Sequence, residues 1–274
     1  MHPSDVQPQA AYPPAVHPPG AHPPAVDQPA AHPPGPVLLH RLLPPYAAVA
    51  EVFSDPPGAR LLPAERAVVA GAADGRRREF TTVRHCARLA LAALGRPPVP
   101  LLPGGDGAPR WPAGVVGSMT HCRGGYRAAA VAPTGAARAI GVDAEPHRPL
   151  RDGVLASVAR PRERARQAEL ERSGGAVCWD RLLFCAKEAV YKAWFPLTGT
   201  RLGFLDVDVE FTPCPGVFRA RVVAGSAARA HGAAEPAFFD GRTTGRWTTG
   251  GGFVAAAVVV PLFDIRAGRG KVSS

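Results

Sequence analysis

The sequence lacks a secretory signal: no basic segment followed by an apolar core stands near the N-terminus. It also lacks a stretch long enough to span a bilayer. The longest apolar run, residues 253–263, is short, rich in Ala and Val, and interrupted by Pro261. The five cysteines (Cys86, Cys122, Cys178, Cys185 and Cys214) form no CxxC pair and leave one over. Reduced thiols in a cytoplasmic protein are therefore expected rather than a disulfide framework. Aromatic residues are only 7% of the chain. They do not interleave with basic clusters, which weighs against a platform for stacking single-stranded nucleic acid.

What is present is a 274-residue chain with 46% apolar residues, enough for one large or two small domains with a real core. The net charge is +10, from 32 Lys and Arg against 22 Asp and Glu. Arginine far outnumbers lysine, and its planar fork suits phosphate. The excess points to an anionic partner: nucleic acid, a phosphorylated cofactor or an acidic protein. Residues 1–36 hold 12 of the 32 prolines, four histidines, and only Asp5 and Asp27 as charges. Such a segment is expected to be an extended, polyproline-like tail, or the product of a translation start placed too far upstream. Without it, residues 37–274 carry +12.

Three stretches carry chemistry. In residues 179–195, Leu183, Ala186, Val190 and Ala193 recur at steps of three and four and predict the core face of a helix that Pro196 ends. Lys187, Glu188, Tyr191 and Lys192 fall elsewhere on it, either as i,i+4 pairs on a wet face or as a site for a metal and a phosphate. In residues 139–146, a buried strand ends in acids, and alternation puts Asp143 and Glu145 on one face. Two carboxylates so close either fray into solvent or flank a hard cation such as Mg²⁺ or Ca²⁺. In residues 76–94, a helix with Phe80, Val83, Ala87, Ala90 and Leu91 on its apolar face is expected to end at Gly95. Arg77, Arg84 and Arg88 share one stripe, with Arg76 and Arg78 at its start. That stripe is either solvated or a phosphate clamp. His121 closes a strand at residues 115–121, where a structural and a functional role are equally open. A hairpin through Gly124 and Gly125 leads to a strand at 127–132. Further strands are expected at 207–211, 217–224 and 253–260, and a helix start at Pro63.

In order, GSMTHC (117–122), IGVDAEP (140–146) and WDRLLFCAKEAVYKAWFPLT (179–198) resemble the 4′-phosphopantetheinyl transferases of the surfactin-synthetase and enterobactin type. SDPPG (54–58) and GRRREFTTVRHCARLAL (75–91) are similar to actinobacterial members. The resemblance covers residues 46–211. It implies an α/β (α+β) fold of two similar, pseudo-twofold-related halves, each a small antiparallel sheet packed with helices, with the active site between them. It implies transfer of the phosphopantetheine arm of coenzyme A to a serine of an acidic apo acyl or peptidyl carrier protein, with Mg²⁺ (or Mn²⁺), releasing 3′,5′-ADP. By the same resemblance, Asp143, Glu145 and Glu188 are metal ligands, and Glu188 is the base. Lys187 and Lys192 contact the coenzyme A phosphates. Arg76, Arg84 and His121 hold its 3′-phosphate and pyrophosphate end, and Tyr191 supports. The loop 103–110 is left out of this set because Asp106 would repel a phosphate.

The expected organisation is a tail (1–36), an N-terminal half (37–142), a C-terminal half (143–266) and a frayed end (267–274), in a monomer that binds neither membrane nor nucleic acid. The alternative is a basic nucleic-acid-binding protein without catalysis. It explains the charge but not the three acids.

Overall fold

The computed structural model describes residues 37–212, 216–223, 239 and 243–262. The proline-rich tail, Cys214 and the end after residue 262 lie outside the described residues. Among the described residues no helix is long and apolar enough to cross a membrane.

Two antiparallel sheets form the frame. The first has the order β1–β3–β2, from β1 (Ala48–Val52), β2 (Val115–His121) and β3 (Arg127–Pro133). The second is formed by β4 (Ala137–Pro146), β5 (Val207–Phe211), β6 (Val217–Val222), β7 (Thr243–Gly250) and β8 (Phe253–Pro261), in the order β4–β8–β7–β6–β5. Among the described residues five α-helices accompany them: α1 (Pro63–Val68), α2 (Asp74–Ala93), α3 (Val154–Val158), α4 (Pro161–Arg172) and α5 (Trp179–Thr198). The fold is α+β with two antiparallel sheets, as expected, though the sheets are unequal in size. Strand β4 runs unbroken through residues 142 and 143, so the change from one sheet to the other comes before β4, in the turn between β3 and β4.

Side-chain alternation explains why β3 and β8 read as continuous apolar runs. Ala128, Ala130 and Ala132 of β3 join Ile140, Val142 and Ala144 of β4 and Ala255 and Ala257 of β8 in a shared core. The intervening Ala129 and Val131 pack with Cys86, Ala87, Ala90 and Leu91 of α2. Val254, Ala256 and Val258 pack with Ala186, Ala189, Val190 and Ala193 of α5. A strand covered on both faces shows no polar alternation. Strand β7 was not foreseen, because its TTGRWTTG sequence is polar and glycine-rich with little β-branched apolar content.

Helix α5 continues two residues past Pro196 and stops at Gly199, which takes the left-handed conformation at φ 66°. The missing N–H of a proline in the last turn costs one ladder bond and does not break the helix there; the glycine cap does.

The tightest joint is between α5 and β4. A Cβ added at Gly141 would lie 1.9 Å from the Ala189 carbonyl oxygen and 2.6 Å from the Ala193 nitrogen. No side chain fits, and the helix backbone rests directly on the strand. Gly141→Ala is therefore expected to lower unfolding stability by about 3 kcal/mol, at the upper end of overpacking costs. Urea denaturation of the variant against the parent chain checks this, and an unchanged midpoint would refute the close contact.

Candidate active site

The edge strands β2 and β4 meet without a regular backbone ladder. Hydroxyls of β2 bridge the gap instead. The Ser118 hydroxyl accepts the Val142 N–H at 3.1 Å, and the Thr120 hydroxyl accepts the Ala144 N–H at 3.3 Å. Thr120 in turn donates to Asp143 Oδ1 at 2.8 Å. The small polar residues at the end of β2 thus join the two sheets and orient the first acid.

Positions 141, 143 and 145 share the α5 face of β4. The 1.9 Å approach at Gly141 brings Lys192, one turn beyond Ala189, over Asp143. Its ammonium donates to Asp143 Oδ1 at 2.7 Å and to the Val142 carbonyl at 3.2 Å. Burial disfavours the Lys192 charge, but Asp143 and Glu188 outweigh it and hold its pKa above the ordinary value. Arg181, in the first turn of α5, donates to Glu145 Oε2 at 3.1 Å and to the Arg148 and Pro149 carbonyls. Burial, then the charge of Asp143, push the Glu145 carboxyl up to about 7 despite Arg181. Burial also raises Glu188, with Lys192 drawing it down and Asp143 pushing it up.

Asp143 Oδ2 is buried and has no hydrogen-bond partner. An orphaned carboxylate oxygen beside a second carboxylate suits a hard divalent cation. Asp143 and Glu145 therefore fit such an ion. The expected third ligand is not closed onto them. Among the described residues no three His, Cys, Asp or Glu side chains stand at ligand spacing. Lys192 and Arg181 occupy the counter-charge positions instead.

Beside the acids opens a cleft of about 810 Å³ lined from both sheets' elements. Arg76, Glu79 and Arg84 come from α2, His121 from β2, and Tyr191 and Lys192 from α5. Arg76 Nη1 lies 3.0 Å from His121 Nε2, and the Glu79 carboxylate stands beside both, 3.7 Å from Arg76 and 3.4 Å from His121. Burial lowers the His121 pKa; Glu79 opposes this and the nearby Arg76 adds to it. Arg84 stacks its guanidinium 3.3 Å over the Phe80 ring and donates to the Leu101 carbonyl at 3.3 Å. Burial brings its pKa down to about 10, still charged at neutral pH.

Only part of the arginine stripe faces this cleft. Arg77 turns to Asp74 and the Ala72 carbonyl. Arg88 closes a buried pair with Glu65, donating to both its oxygens at 2.9 Å. The loop omitted from the expected site lines the cleft through Gly104, Gly105, Asp106 and Arg110. The Asp106 carboxylate accepts the Ala108 N–H at 2.9 Å, so it is engaged within its own loop. The loop's glycines and prolines read as a turn, and nothing local showed that the turn closes on the cleft.

Lys187 corrects the expected site. It does not line the cleft. It is buried, with Nζ donating to Glu163 Oε2 at 2.6 Å and to the Val158 and Phe204 carbonyls at 2.8 Å each. Lys187 and Lys192 are five residues apart, well over a quarter turn around the helix, so a site that takes one turns the other away. Burial lowers the Lys187 pKa and Glu163 opposes the shift. Removing one partner of such a buried pair costs about 3–5 kcal/mol.

Comparison with known proteins accords with this arrangement. The family model for the 4′-phosphopantetheinyl transferase N-terminal domain matches residues 64–132. The model for the 4′-phosphopantetheinyl transferase superfamily matches residues 139–248. The 4′-phosphopantetheinyl transferase Svp of Streptomyces mobaraensis is 48% identical over 81% of this chain and 89% of its own. The 4′-phosphopantetheinyl transferase PptT of Mycobacterium tuberculosis (strain ATCC 25618 / H37Rv) is 47% identical over 78% and 92%. The 4′-phosphopantetheinyl transferase Npt of Nocardia iowensis is 44% identical over 81% and 99%. These relatives set aside the alternative of a nucleic-acid-binding protein without catalysis.

The raised Glu145 pKa has a stability consequence. Between its ordinary value near 4.5 and about 7, the folded chain holds a proton that the unfolded chain has released. Its contribution is therefore present at low pH and lost as pH rises through 7. In chelator, Glu145→Gln should be more stable than the parent at pH 8 by about 1–2 kcal/mol, allowing for partial solvent screening. The gain should shrink through pH 5 and vanish below the ordinary value near 4.5, at pH 3.5. Thermal unfolding at these pH values measures this, and a pH-independent difference would contradict the assignment.

Proposed function

The chain belongs to the 4′-phosphopantetheinyl transferase superfamily, and from that premise we propose that its cleft grips coenzyme A by the phosphates and presents the phosphopantetheine arm to a carrier-protein serine. The observation that carries this is the meeting of Arg76, Arg84, His121 (when protonated) and Lys192 along one cleft, with Lys192 bonded at 2.7 Å to Asp143 of the neighbouring Asp143–Glu145 pair. Such a gradient from cations to paired acids suits a substrate with a phosphate at one end and a pyrophosphate at the other.

Arg84 and Arg76 would take the 3′-phosphate end, with Glu79 keeping Arg76 and His121 in place before the substrate arrives. Lys192 would neutralise charge on the pyrophosphate as it leaves. Asp143, Glu145 and Glu188 would hold Mg²⁺, which supplies Lewis-acid neutralisation of phosphoryl oxygens when bound. Glu188, raised by burial toward the working pH, would take the proton of the carrier serine. In that step the serine oxygen forms a bond to the coenzyme A β-phosphorus and the phosphoanhydride bond breaks. 3′,5′-ADP departs with the bonding pair. The +12 charge of residues 37–274 would steer an acidic carrier toward the cleft.

Incubation with apo carrier proteins, coenzyme A and Mg²⁺ tests the proposal by intact mass. One phosphopantetheinyl addition per carrier is expected; no addition on any of several carriers would sink it. Glu188→Gln should lower kcat by about 10²–10⁴-fold while coenzyme A still binds. Arg84→Ala should instead raise the KM for coenzyme A by about tenfold, roughly what one charge-assisted contact supplies. If Arg84→Ala leaves KM unchanged, the phosphate clamp is misassigned.

A further inference from the structure

Lys187 and Lys192 are both conspicuous in the sequence, yet only Lys192 reaches the cleft. We infer that Lys187 is a positioning residue: its buried pair with Glu163 sets the rotation of α5, and so the aim of Glu188, without touching coenzyme A. This rests on the role proposed for Glu188.

Donor arithmetic carries the point. An ammonium has three N–H groups. Lys187 places them on Glu163 Oε2, the Val158 carbonyl and the Phe204 carbonyl, at 2.6, 2.8 and 2.8 Å. None remains for a phosphate. Both side chains of the pair are 1% exposed. Swinging the lysine outward would leave Glu163 charged and unpaired inside the protein.

Glu163 is itself fully used. Its Oε2 also accepts the Arg160 N–H at 2.7 Å, which caps the start of α4, and its Oε1 accepts the Val209 N–H of β5 at 2.7 Å. One ion pair thus ties α5 to the end of α3, the start of α4, the turn at Phe204 and the strand β5. The next residue on α5 is Glu188. With Gly141 fixing the helix's distance from β4, the Lys187 pin fixes its angle. A small rotation of the helix would swing Glu188, and with it Lys192, whose proposed parts lie in the transfer step, while leaving the phosphate-gripping Arg76, Arg84 and His121, which lie on other elements, undisturbed.

Three variants of the full chain test this: Lys187→Met, Glu163→Gln and the double variant, which replaces the ion pair by a neutral couple. Transfer kinetics and hydrogen–deuterium exchange across α4 are read together. Each single variant should lower kcat at least about tenfold, as a displaced catalytic group does. The KM for coenzyme A should stay within about twofold, and exchange in α4 should quicken. The double variant should recover both α4 protection and kcat to within about threefold of the parent, since no buried charge is left unpaired. A protected double variant whose KM rises tenfold would overturn the inference in favour of a phosphate contact. One that stays protected but inactive would overturn it in favour of direct chemistry by the lysine. If Lys187→Met does not fold, Glu163→Gln decides: normal kcat there refutes the pin. Should the parent chain transfer to no carrier, the transferase role of the cleft fails, while exchange in α4 still decides whether the pair anchors α5.

Discussion

The backbone contact of α5 on β4 at Gly141 is the constraint on which the site depends. With a carbonyl oxygen 1.9 Å from where a Cβ would stand, helix and strand approach as closely as two backbones can. That distance is what lets a lysine on the helix and an aspartate on the strand form a 2.7 Å pair. A longer separation would put water between them and weaken the pair by dielectric screening. The alanines at 189 and 193 serve the same end, because any larger side chain would lift the helix.

Around that contact, Asp143, Glu145 and Glu79 are each paired with a cation. Asp143 has Lys192, Glu145 has Arg181, and Glu79 has Arg76, His121 and Arg127. The balance is incomplete where function would need it to be. Asp143 Oδ2 lacks a partner, and Glu145 holds its proton up to about pH 7. Buried carboxylates in that condition are under-compensated, which favours a bound cation over further burial. On the other side of α5, the Lys187–Glu163 pair is fully satisfied, as a buried pair must be if it is to be structural and inert.

Much of the fold was legible in the sequence where periodicity is strong. The apolar face of α5, the α2 helix with its cap near Gly95 and the β2–β3 hairpin through Gly124 and Gly125 follow from local pattern, whereas the antiparallel α+β class was implied by the family resemblance. Strand β7 did not, because a polar, threonine-rich strand has no apolar period to read. The site was legible as a set of residue types: acids at the end of a buried strand, arginines along a helix, and lysines bracketing a glutamate.

The sequence by itself determined that these groups exist, that Asp143 and Glu145 share a face, and that α5 has one apolar side. Those properties depend on spacing along a single element. Only the tertiary structure decided which arginine and which lysine belong to the cleft. Arg76 and Arg84 face it while Arg88 closes on Glu65, and Lys192 meets Asp143 while Lys187 closes on Glu163. The carboxylates that claim Arg88 and Lys187 lie 23 and 24 residues away along the chain. A charged side chain goes to whichever partner the packing of other elements brings within reach. Helical spacing gives its direction from the axis but not what waits there.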